Sequence, residues 1–207
     1  MSDKKVILIG YSGHGYVVAE TALENSMIFM GYADKKKLIQ NPFNLKYLGF
    51  ENDDDFVGWS TNASFILGIG DNSIRDKIAN LVESKNKTLQ TVIHNSAAIS
   101  KTAVIENGTF VGKMVVVNSF ACIGKNVILN TGCIIEHECI ISNSVHVAPG
   151  AVLTGNVHVG ARTFIGANSV VKQGIVIGSD VIIGAGSVII NDIPNGKKVV
   201  GNPARII

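Results

Sequence analysis

A six-residue repeat runs without interruption from Ala97 to Asp192, and it constrains the fold of this chain more than any other feature. Sixteen consecutive hexads cover these 96 residues, and the third position of every hexad is aliphatic. The first position is almost as restricted, since it holds only Ala, Thr, Val, Cys, Ser or Ile. The third-position residues are Ile99, Ile105, Val111, Val117, Ile123, Leu129, Ile135, Ile141, Val147, Leu153, Val159, Ile165, Val171, Ile177, Ile183 and Ile189.

A period of six with one inward aliphatic residue is typical of parallel β-helices, in which each hexad forms one short strand and one corner. Three hexads close a triangular coil of eighteen residues, so the array predicts slightly more than five coils. Stacked at the inter-strand spacing of about 4.8 Å, these coils form a prism on the order of 25 Å long. No coil can bury its apolar face alone, so we expect continuous aliphatic ladders through the array.

One hexad differs from its neighbours because it places His137 between the carboxylates Glu136 and Glu138. The rest of the array is apolar or small, so this unit is the predicted site of chemistry. Residues eighteen apart stack on one another, and Gly155 should therefore lie over His137. A glycine there leaves a backbone N–H accessible beside the histidine, as an oxyanion donor must be.

A second histidine of the array, His146, is nine residues from His137, which is half a coil. The two side chains should therefore lie on opposite sides of one prism. They can contribute to one site only if a neighbouring chain supplies the second histidine. A site that uses both predicts a symmetric oligomer, and the triangular prism favours three-fold packing.

The N-terminal segment begins with a different pattern. The apolar residues 5–9 lead into a glycine-rich turn, residues 10–15, and a helical pattern over residues 16–25 follows. Strand, glycine turn and helix open the doubly wound nucleotide-binding folds, in which backbone amides and a helix N-terminus face a phosphate. The glycine spacing is G-x-x-G-x-G rather than the dinucleotide G-x-G-x-x-G, so one nucleotide or a nucleotide sugar is favoured over NAD.

Two more strands are expected, over residues 27–33 and 64–69, and they end at Asp34 and near Gly70. A helix over residues 73–83 follows. Three strand ends would then meet at one sheet edge, where open parallel sheets bind ligands. A purely structural role of the glycines in a tight turn remains an alternative.

Within this segment, His14 can face a ligand or cap the first helix in solvent. Lys35 follows Asp34 directly and is the one lysine of the run 35–37 that we keep as a ligand contact. Residues 40–60 predict irregular structure without an assigned role. We therefore assign residues 1–91 to a small α/β domain that binds a nucleotide sugar, and residues 92–207 to the β-helix.

Composition excludes several classes of protein. The formal charge of +2 provides no drive towards nucleic acid or an anionic membrane. No apolar run approaches the eighteen or so residues that span a bilayer, and no secretory signal precedes the first strand. The three cysteines form no Cys-x-x-Cys pair, so neither a disulfide framework nor a zinc ribbon is expected. A reducing cytoplasm fits this usage.

Five segments together resemble one family: residues 10–15 (GYSGHG), Asp34, residues 70–72 (GDN), residues 136–139 (EHEC) and residues 200–204 (VGNPA). The chain is similar over essentially its whole length to bacterial sugar acyltransferases of the bacillosamine, perosamine and sialic-acid type. The resemblance implies a small Rossmann-like N-terminal domain followed by a left-handed parallel β-helix. It also implies a homotrimer that binds acetyl-CoA in the groove between adjacent helices.

The same resemblance implies residue roles. The catalytic base falls on His137, its carboxylate partner on Glu138, and the histidine that contacts the acetyl group on His146. The CoA-lining positions fall on Ala167 and Ala185. Contacts to the nucleotide sugar fall on Ser12, Gly13, His14, Asp34, Lys35 and Gly70.

The predicted reaction is transfer of acetyl from acetyl-CoA to the 4-amino group of a nucleotide-linked amino sugar, for bacterial surface glycan biosynthesis. In this mechanism His137 accepts the amine proton, Glu138 orients the imidazole and the Gly155 N–H stabilises the oxyanion. Glu136 is the alternative orienting acid, although we expect it to lie outward on a strand. O-acetylation of sialic acid or a related sugar is the alternative reaction.

The histidines and carboxylates of the array also bear on two other classes of protein. A metal-dependent hydratase needs histidines that converge on one ion. The three histidines of the array are His137, His146 and His158. His146 follows His137 by nine residues, and His158 follows His146 by twelve. No two of them stack on one edge, so no metal is expected. A non-catalytic β-helix binding module would leave the pairing of His137 with Glu138 without a reason.

Overall fold

The computed structural model describes residues 4–207, which form two compact units. The first ends at Val92, and the second spans Ile93–Ile207. The assignment of function to residues 1–91 and 92–207 stays a prediction. In the described part of the chain, no helix is both long enough and apolar enough to cross a bilayer.

The first unit is a small α/β fold around a three-stranded parallel sheet in the order β2-β1-β3. The central strand is a continuous apolar run, and its residues 6–9 are at most 1% exposed. Strands of this kind are covered on both faces, as in other parallel sheets. The elements are β1 (Lys5–Ile9), α1 (His14–Glu24), β2 (Ile28–Ala33), a 3₁₀ helix (Val57–Ser60), β3 (Ser64–Leu67) and α2 (Asn72–Ser84).

Sequence patterns predicted every strand and α-helix of this unit; some bounds differ by one residue, and three differences are larger. Helix α1 begins at His14, two residues early, because Gly13 adopts a positive φ of 43° and starts the helix there. Strand β3 ends at Leu67 rather than at residue 69. The segment 40–60, predicted to be irregular, contains the 3₁₀ helix.

The second unit is a left-handed parallel β-helix of hexapeptide repeats, as predicted. Its two-residue strands stack into three parallel sheets, and two longer strands follow, the last of which pairs antiparallel with the one before it. The first sheet contains β4 (Val92–Ile93), β7 (Phe110–Val111), β10 (Ile128–Leu129), β13 (His146–Val147), β16 (Phe164–Ile165), β19 (Ile182–Ile183), β21 (Lys198–Gly201) and β22 (Ala204–Ile206). The second contains β5 (Ala98–Ile99), β8 (Val116–Val117), β11 (Ile134–Ile135), β14 (Val152–Leu153), β17 (Val170–Val171) and β20 (Val188–Ile189). The third contains β6 (Val104–Ile105), β9 (Cys122–Ile123), β12 (Ile140–Ile141), β15 (His158–Val159) and β18 (Val176–Ile177).

The predicted register of the coils is confirmed. Ile135 pairs with Val117 on one side and with Leu153 on the other, each eighteen residues away. From Val111 to Ile189, every third-position residue is at most 1% exposed. The helix has about six coils rather than slightly more than five, because strands before and after the uninterrupted hexads extend the stack.

The corners depend on the sixth position of each hexad. From Gly108 to Gly186, all fourteen sixth-position residues have φ between 54° and 76°. This left-handed region favours Gly and Asn, which together fill eight of the fourteen positions. The left-handed conformation at the sixth position was not predicted, although the recurrence of Gly and Asn there indicates it.

Candidate active site

His137 occupies the fifth position of its hexad, at the corner between β11 of the second sheet and β12 of the third. Its side chain is 49% exposed, and Nδ1 lies 3.2 Å from Oε2 of Glu138. A carboxylate accepts hydrogen bonds, so this contact favours the tautomer in which Nδ1 carries the hydrogen. The lone pair is then on Nε2, where it can accept a proton from a substrate.

Glu138 stands at one of the left-handed sixth positions, with φ of 60°. All fourteen sixth positions from Gly108 to Gly186 share this conformation, so it belongs to the corners of the helix in general. The turn brings its carboxylate to the imidazole. Oε2 of Glu136 instead accepts a hydrogen bond from the backbone N–H of His137 at 3.3 Å. Strand β11 ends at Ile135, so Glu136 does not lie on a strand, as it was expected to. Glu138 is the carboxylate beside the ring.

Gly155 lies directly beside the imidazole, as the coil length predicts. A Cβ atom on Gly155 would stand 2.5 Å from both Cε1 and Nε2 of His137, so only glycine leaves room for the ring in this position. Within residues 4–207, the N–H of Gly155 donates to no acceptor. This N–H is therefore available to a ligand next to Nε2.

His146 begins β13 in the first sheet, which is the face of the prism opposite the corner of His137. Its side chain is only 9% exposed. Nε2 lies 3.3 Å from Nδ2 of Asn130, and the ring packs edge-to-face on Phe164 with centroids 5.0 Å apart. These contacts hold the imidazole in one orientation on the surface of the first sheet.

Ala167 and Ala185 are fifth-position residues eighteen apart, so they stack at the corner that follows β16 and β19. This corner joins the first sheet to the second, and it is not the corner of His137. One chain therefore holds the predicted residues in two separate groups. The first group is His137, Glu138 and Gly155; the second is His146, Ala167 and Ala185.

In the first unit, the glycine turn and the loop after β3 are neighbours. Ser12 and Gly13 are exposed, and His14 forms the first residue of α1. A Cβ on Gly70 would lie 3.9 Å from Cβ of His14, which places the two loops side by side. The fold thus brings together four of the residues predicted to contact the nucleotide sugar.

Asp34, another of these residues, supports the glycine turn. Oδ2 accepts the backbone N–H of Tyr11 at 3.1 Å, and Oδ1 accepts that of Lys35 at 2.8 Å. Asp34 and Lys35 also line a cavity of about 150 Å³ at the ends of the three strands. The remaining lining residues are Ile9, Gly10, Glu51, Ile69 and Ile74.

Arg75 is a residue of this region that the sequence analysis missed. It is 1% exposed, and its guanidinium donates hydrogen bonds to the carbonyls of Ile69 and Gly70 and to Oδ1 of Asn72, at 2.9 to 3.2 Å. Burial lowers its pKa to about 10, so it stays charged at neutral pH. Arg75 therefore fixes the loop that carries Gly70. The sequence signal for a buried Arg75 was its spacing: it precedes Ile78 by three residues, on the buried face of α2.

Across the described residues 4–207, no group of three or more His, Cys, Asp and Glu side chains could hold a metal ion. Cys133 and Cys139 are buried free thiols at the first positions of successive hexads.

Comparison with known proteins agrees with both units. Residues 5–82 match the PglD N-terminal domain, and residues 138–173 and 156–191 match the bacterial transferase hexapeptide, a model of six repeats. No curated protein sequence matches the chain.

Three solved structures are similar over nearly the whole chain. The acetyltransferase domain of PglB from Neisseria gonorrhoeae, in complex with acetyl coenzyme A, has 31% identity and a TM-score of 0.92, with 100% of both chains covered. PerB from Caulobacter crescentus, in complex with CoA and GDP-perosamine, has 30% identity and a TM-score of 0.90, covering 98% of this chain and 97% of that one. WeeI from Acinetobacter baumannii has 26% identity and a TM-score of 0.87, covering 98% and 99%.

The β-helix and the matches of both units define a hexapeptide-repeat acyltransferase. Within that class, the chain belongs to the aminosugar acetyltransferases that carry a PglD-type N-terminal domain. The family that the sequence resembles is thereby confirmed.

Proposed function

We propose that this protein transfers the acetyl group of acetyl-CoA to the 4-amino group of a nucleotide-linked amino sugar, in the synthesis of a bacterial surface glycan. The observation that carries the proposal is the pairing of His137 with Glu138 at 3.2 Å, with Nε2 against the backbone of Gly155. The complexes of PglB with acetyl coenzyme A and of PerB with CoA and GDP-perosamine support the two substrates.

The chemistry follows from the three groups at this corner. Nε2 of His137 accepts a proton from the sugar amine as its nitrogen attacks the thioester carbonyl. Glu138 stabilises the imidazolium that forms, as a carboxylate does behind a catalytic histidine. The Gly155 N–H donates to the oxyanion of the tetrahedral intermediate. When the carbon–sulfur bond breaks, the imidazolium returns the proton to the leaving thiolate.

The test is release of free thiol from acetyl-CoA, measured with UDP-, dTDP- and GDP-linked 4-amino sugars and with free sialic acid as the hydroxyl acceptor. Loss of a general base costs about 10²–10⁴ in rate, so His137→Ala should lose that much turnover. Its melting temperature should stay close to that of the wild type, since the side chain is half exposed. Lys77→Ala, at an exposed position of α2 in the first unit, is the control and should keep full turnover. More than half of the wild-type turnover in His137→Ala would exclude its role as base.

We propose further that the protein is a homotrimer whose active sites lie between subunits. One chain holds His137 and His146 on opposite sides of its prism, so a site that uses both needs a neighbour. The third sheet also exposes outward apolar side chains: Val104, Ile140 and Val176 are 55%, 46% and 49% exposed. Such a ladder suits burial against a second chain. The acetyl-CoA site is then the groove between helices, lined by the second group of residues, His146, Ala167 and Ala185.

Subunit complementation tests the shared site. His137→Ala and His146→Ala trimers should each have low turnover. After mixed refolding or co-expression, about one of three sites in each mixed trimer has both histidines intact, so thiol release should recover. Light scattering of the wild type should give three times the chain mass. A monomer, or mixed oligomers without recovered activity, would refute the shared site.

We assign the protein to the cytoplasm. Its three cysteines Cys122, Cys133 and Cys139 are free thiols, which suits a reducing compartment.

A further inference from the structure

A segment without a sequence motif runs beside the edge strand of the small sheet. The N–H of Leu48 donates to the carbonyl of Tyr32 at 2.9 Å, and the N–H of Asp34 donates to that of Gly49 at 3.2 Å. The segment thus continues the sheet beyond β2 in the parallel direction. It delivers Glu51 to the sheet edge at which β1, β2 and β3 end.

Glu51 is a buried carboxylate with an unsatisfied oxygen. The residue is 6% exposed. Oε1 accepts a long hydrogen bond of 3.4 Å from Nδ2 of Asn52, and Oε2 is buried with no partner among residues 4–207. Burial raises the pKa of Glu51, and the charge of Asp34 adds to the increase, while Lys35 opposes it. A buried acceptor without a donor costs free energy, so a ligand that supplies an N–H would relieve that cost.

The space in front of Glu51 has the size of one aromatic ring. The cavity of about 150 Å³ has apolar walls formed by Ile9, Ile69 and Ile74, with Glu51 and Lys35 as its charged side chains beside Asp34. A cavity of roughly this volume holds benzene in an engineered protein. It lies beside the central strand of the β2-β1-β3 order, at the switch point where open α/β sheets bind nucleotides.

The free carboxylate oxygen distinguishes between bases. Uracil and thymine have a ring N3–H between two carbonyls, so one acceptor oxygen matches the one donor. Cytosine and adenine present a bare ring nitrogen at the equivalent edge, whose lone pair would face the carboxylate. Guanine has two adjacent donors, N1–H and the 2-amino group, and needs both carboxylate oxygens as well as space for a second ring.

We propose that this cavity binds the base of the nucleotide sugar and that Glu51 selects uracil or thymine by accepting its N3–H at Oε2. This inference rests on the proposed function, since it names the nucleotide that carries the amino sugar. Lys35, on the same wall, supplies a positive charge for a carbonyl of the base. The acceptor of the acetyl group is therefore a UDP- or dTDP-linked amino sugar.

The test is isothermal titration calorimetry of the full chain with UDP, dTDP, CDP and GDP, without acetyl-CoA. We expect UDP and dTDP to bind at least about tenfold more tightly than CDP, because a hydrogen bond to a charged group is lost with CDP. In Glu51→Gln the side-chain amide can donate to the bare N3 of cytosine, so the ratio of UDP to CDP affinity should fall at least about tenfold. Asp54→Asn, which removes an exposed carboxylate from the same loop, should leave that ratio unchanged.

Equal affinities for UDP and CDP, or an unchanged ratio in Glu51→Gln, would overturn the role of Glu51. Tighter binding of GDP than of UDP would overturn the one-ring cavity, and binding of none of the four would overturn the site. Thiol release with amino-sugar substrates is measured separately. Base selectivity without thiol release would refute the proposed function alone, and thiol release without base selectivity would refute only this inference.

Discussion

Replacement of Gly155 by alanine tests whether the proposed active site at the His137 corner depends on close stacking of adjacent coils. The new Cβ would stand 2.5 Å from Cε1 and Nε2 of His137, where carbon atoms in contact are normally about 3.5–4.0 Å apart. The ring is the end of a flexible side chain, so it can move away while the backbone stays. That movement would break the 3.2 Å contact of Nδ1 with Glu138.

The backbone itself tolerates alanine at this place. The φ of Gly155 lies outside the left-handed region, and the fifth positions of three nearby hexads already hold Ala161, Ala167 and Ala185. A Gly→Ala change at a compatible site even stabilises a protein by about 0.4–1 kcal/mol, because it reduces the conformational entropy of the unfolded chain. We therefore expect the melting temperature of Gly155→Ala to stay within about 4 °C of the wild type.

Turnover should respond very differently. A displaced base loses its contribution of about 10²–10⁴ in rate. At 1.36 kcal/mol for each factor of ten, this loss raises the barrier by about 2.7–5.4 kcal/mol. Thiol release under saturating substrates measures the loss, and thermal unfolding followed by circular dichroism checks the fold.

The double variant with His137→Ala separates the causes. Without the imidazole, the added methyl group of Gly155→Ala has no ring to displace, so it should cost no further turnover. Retention of more than half of the wild-type turnover by the single variant would refute the reasoning. A further large loss in the double variant would instead indicate a direct effect on the Gly155 N–H.

Three other predictions concern stability and reactivity. Ile141→Ala removes a 1% exposed side chain in the middle of the ladder and should cost about 2–5 kcal/mol in denaturant unfolding; an unchanged midpoint would contradict the register. A thiol reagent should reach buried Cys133, whose pKa burial raises to about 12, and buried Cys139 only after unfolding; fast reaction of either thiol in the native protein would contradict this. The pKa of Glu51 is higher in the folded state than in the unfolded state, where a glutamate has a pKa of about 4.3. Ionisation of Glu51 therefore lowers the free energy of unfolding as the pH rises above that value. Glu51→Gln should thus melt higher than the wild type at pH 7 and equally at pH below 4, whereas a lower melting temperature at pH 7 would contradict the buried charge.

The β-helix and the stacking of Gly155 on His137 could be predicted from the sequence because their contacts recur at a fixed interval. Each coil contacts the next at a separation of eighteen residues, so the position of Gly155 beside His137 follows from counting. The opposite placement of His146 follows in the same way. Only the coil count was low, because the terminal strands do not belong to the uninterrupted hexads.

The structure of the first unit was predictable only in part. The apolar run of β1 and the glycines after it are local signals, and they located the sheet edge. Arg75 is a charged residue on a buried helix stripe, and its place is stabilised by carbonyls of a loop that no local pattern specifies.

For this protein, the sequence by itself determined the coil, the inward ladders and the pairing of His137 with its neighbours along the chain and across one coil. Tertiary structure alone decided that Glu51 lies beside Asp34 at the end of the sheet. The physical reason is the kind of contact involved: a repeat imposes the same separation on every coil. Glu51 reaches its cavity through irregular backbone, held by hydrogen bonds such as that from Asp34 to Gly49, whose partners have no periodic relation.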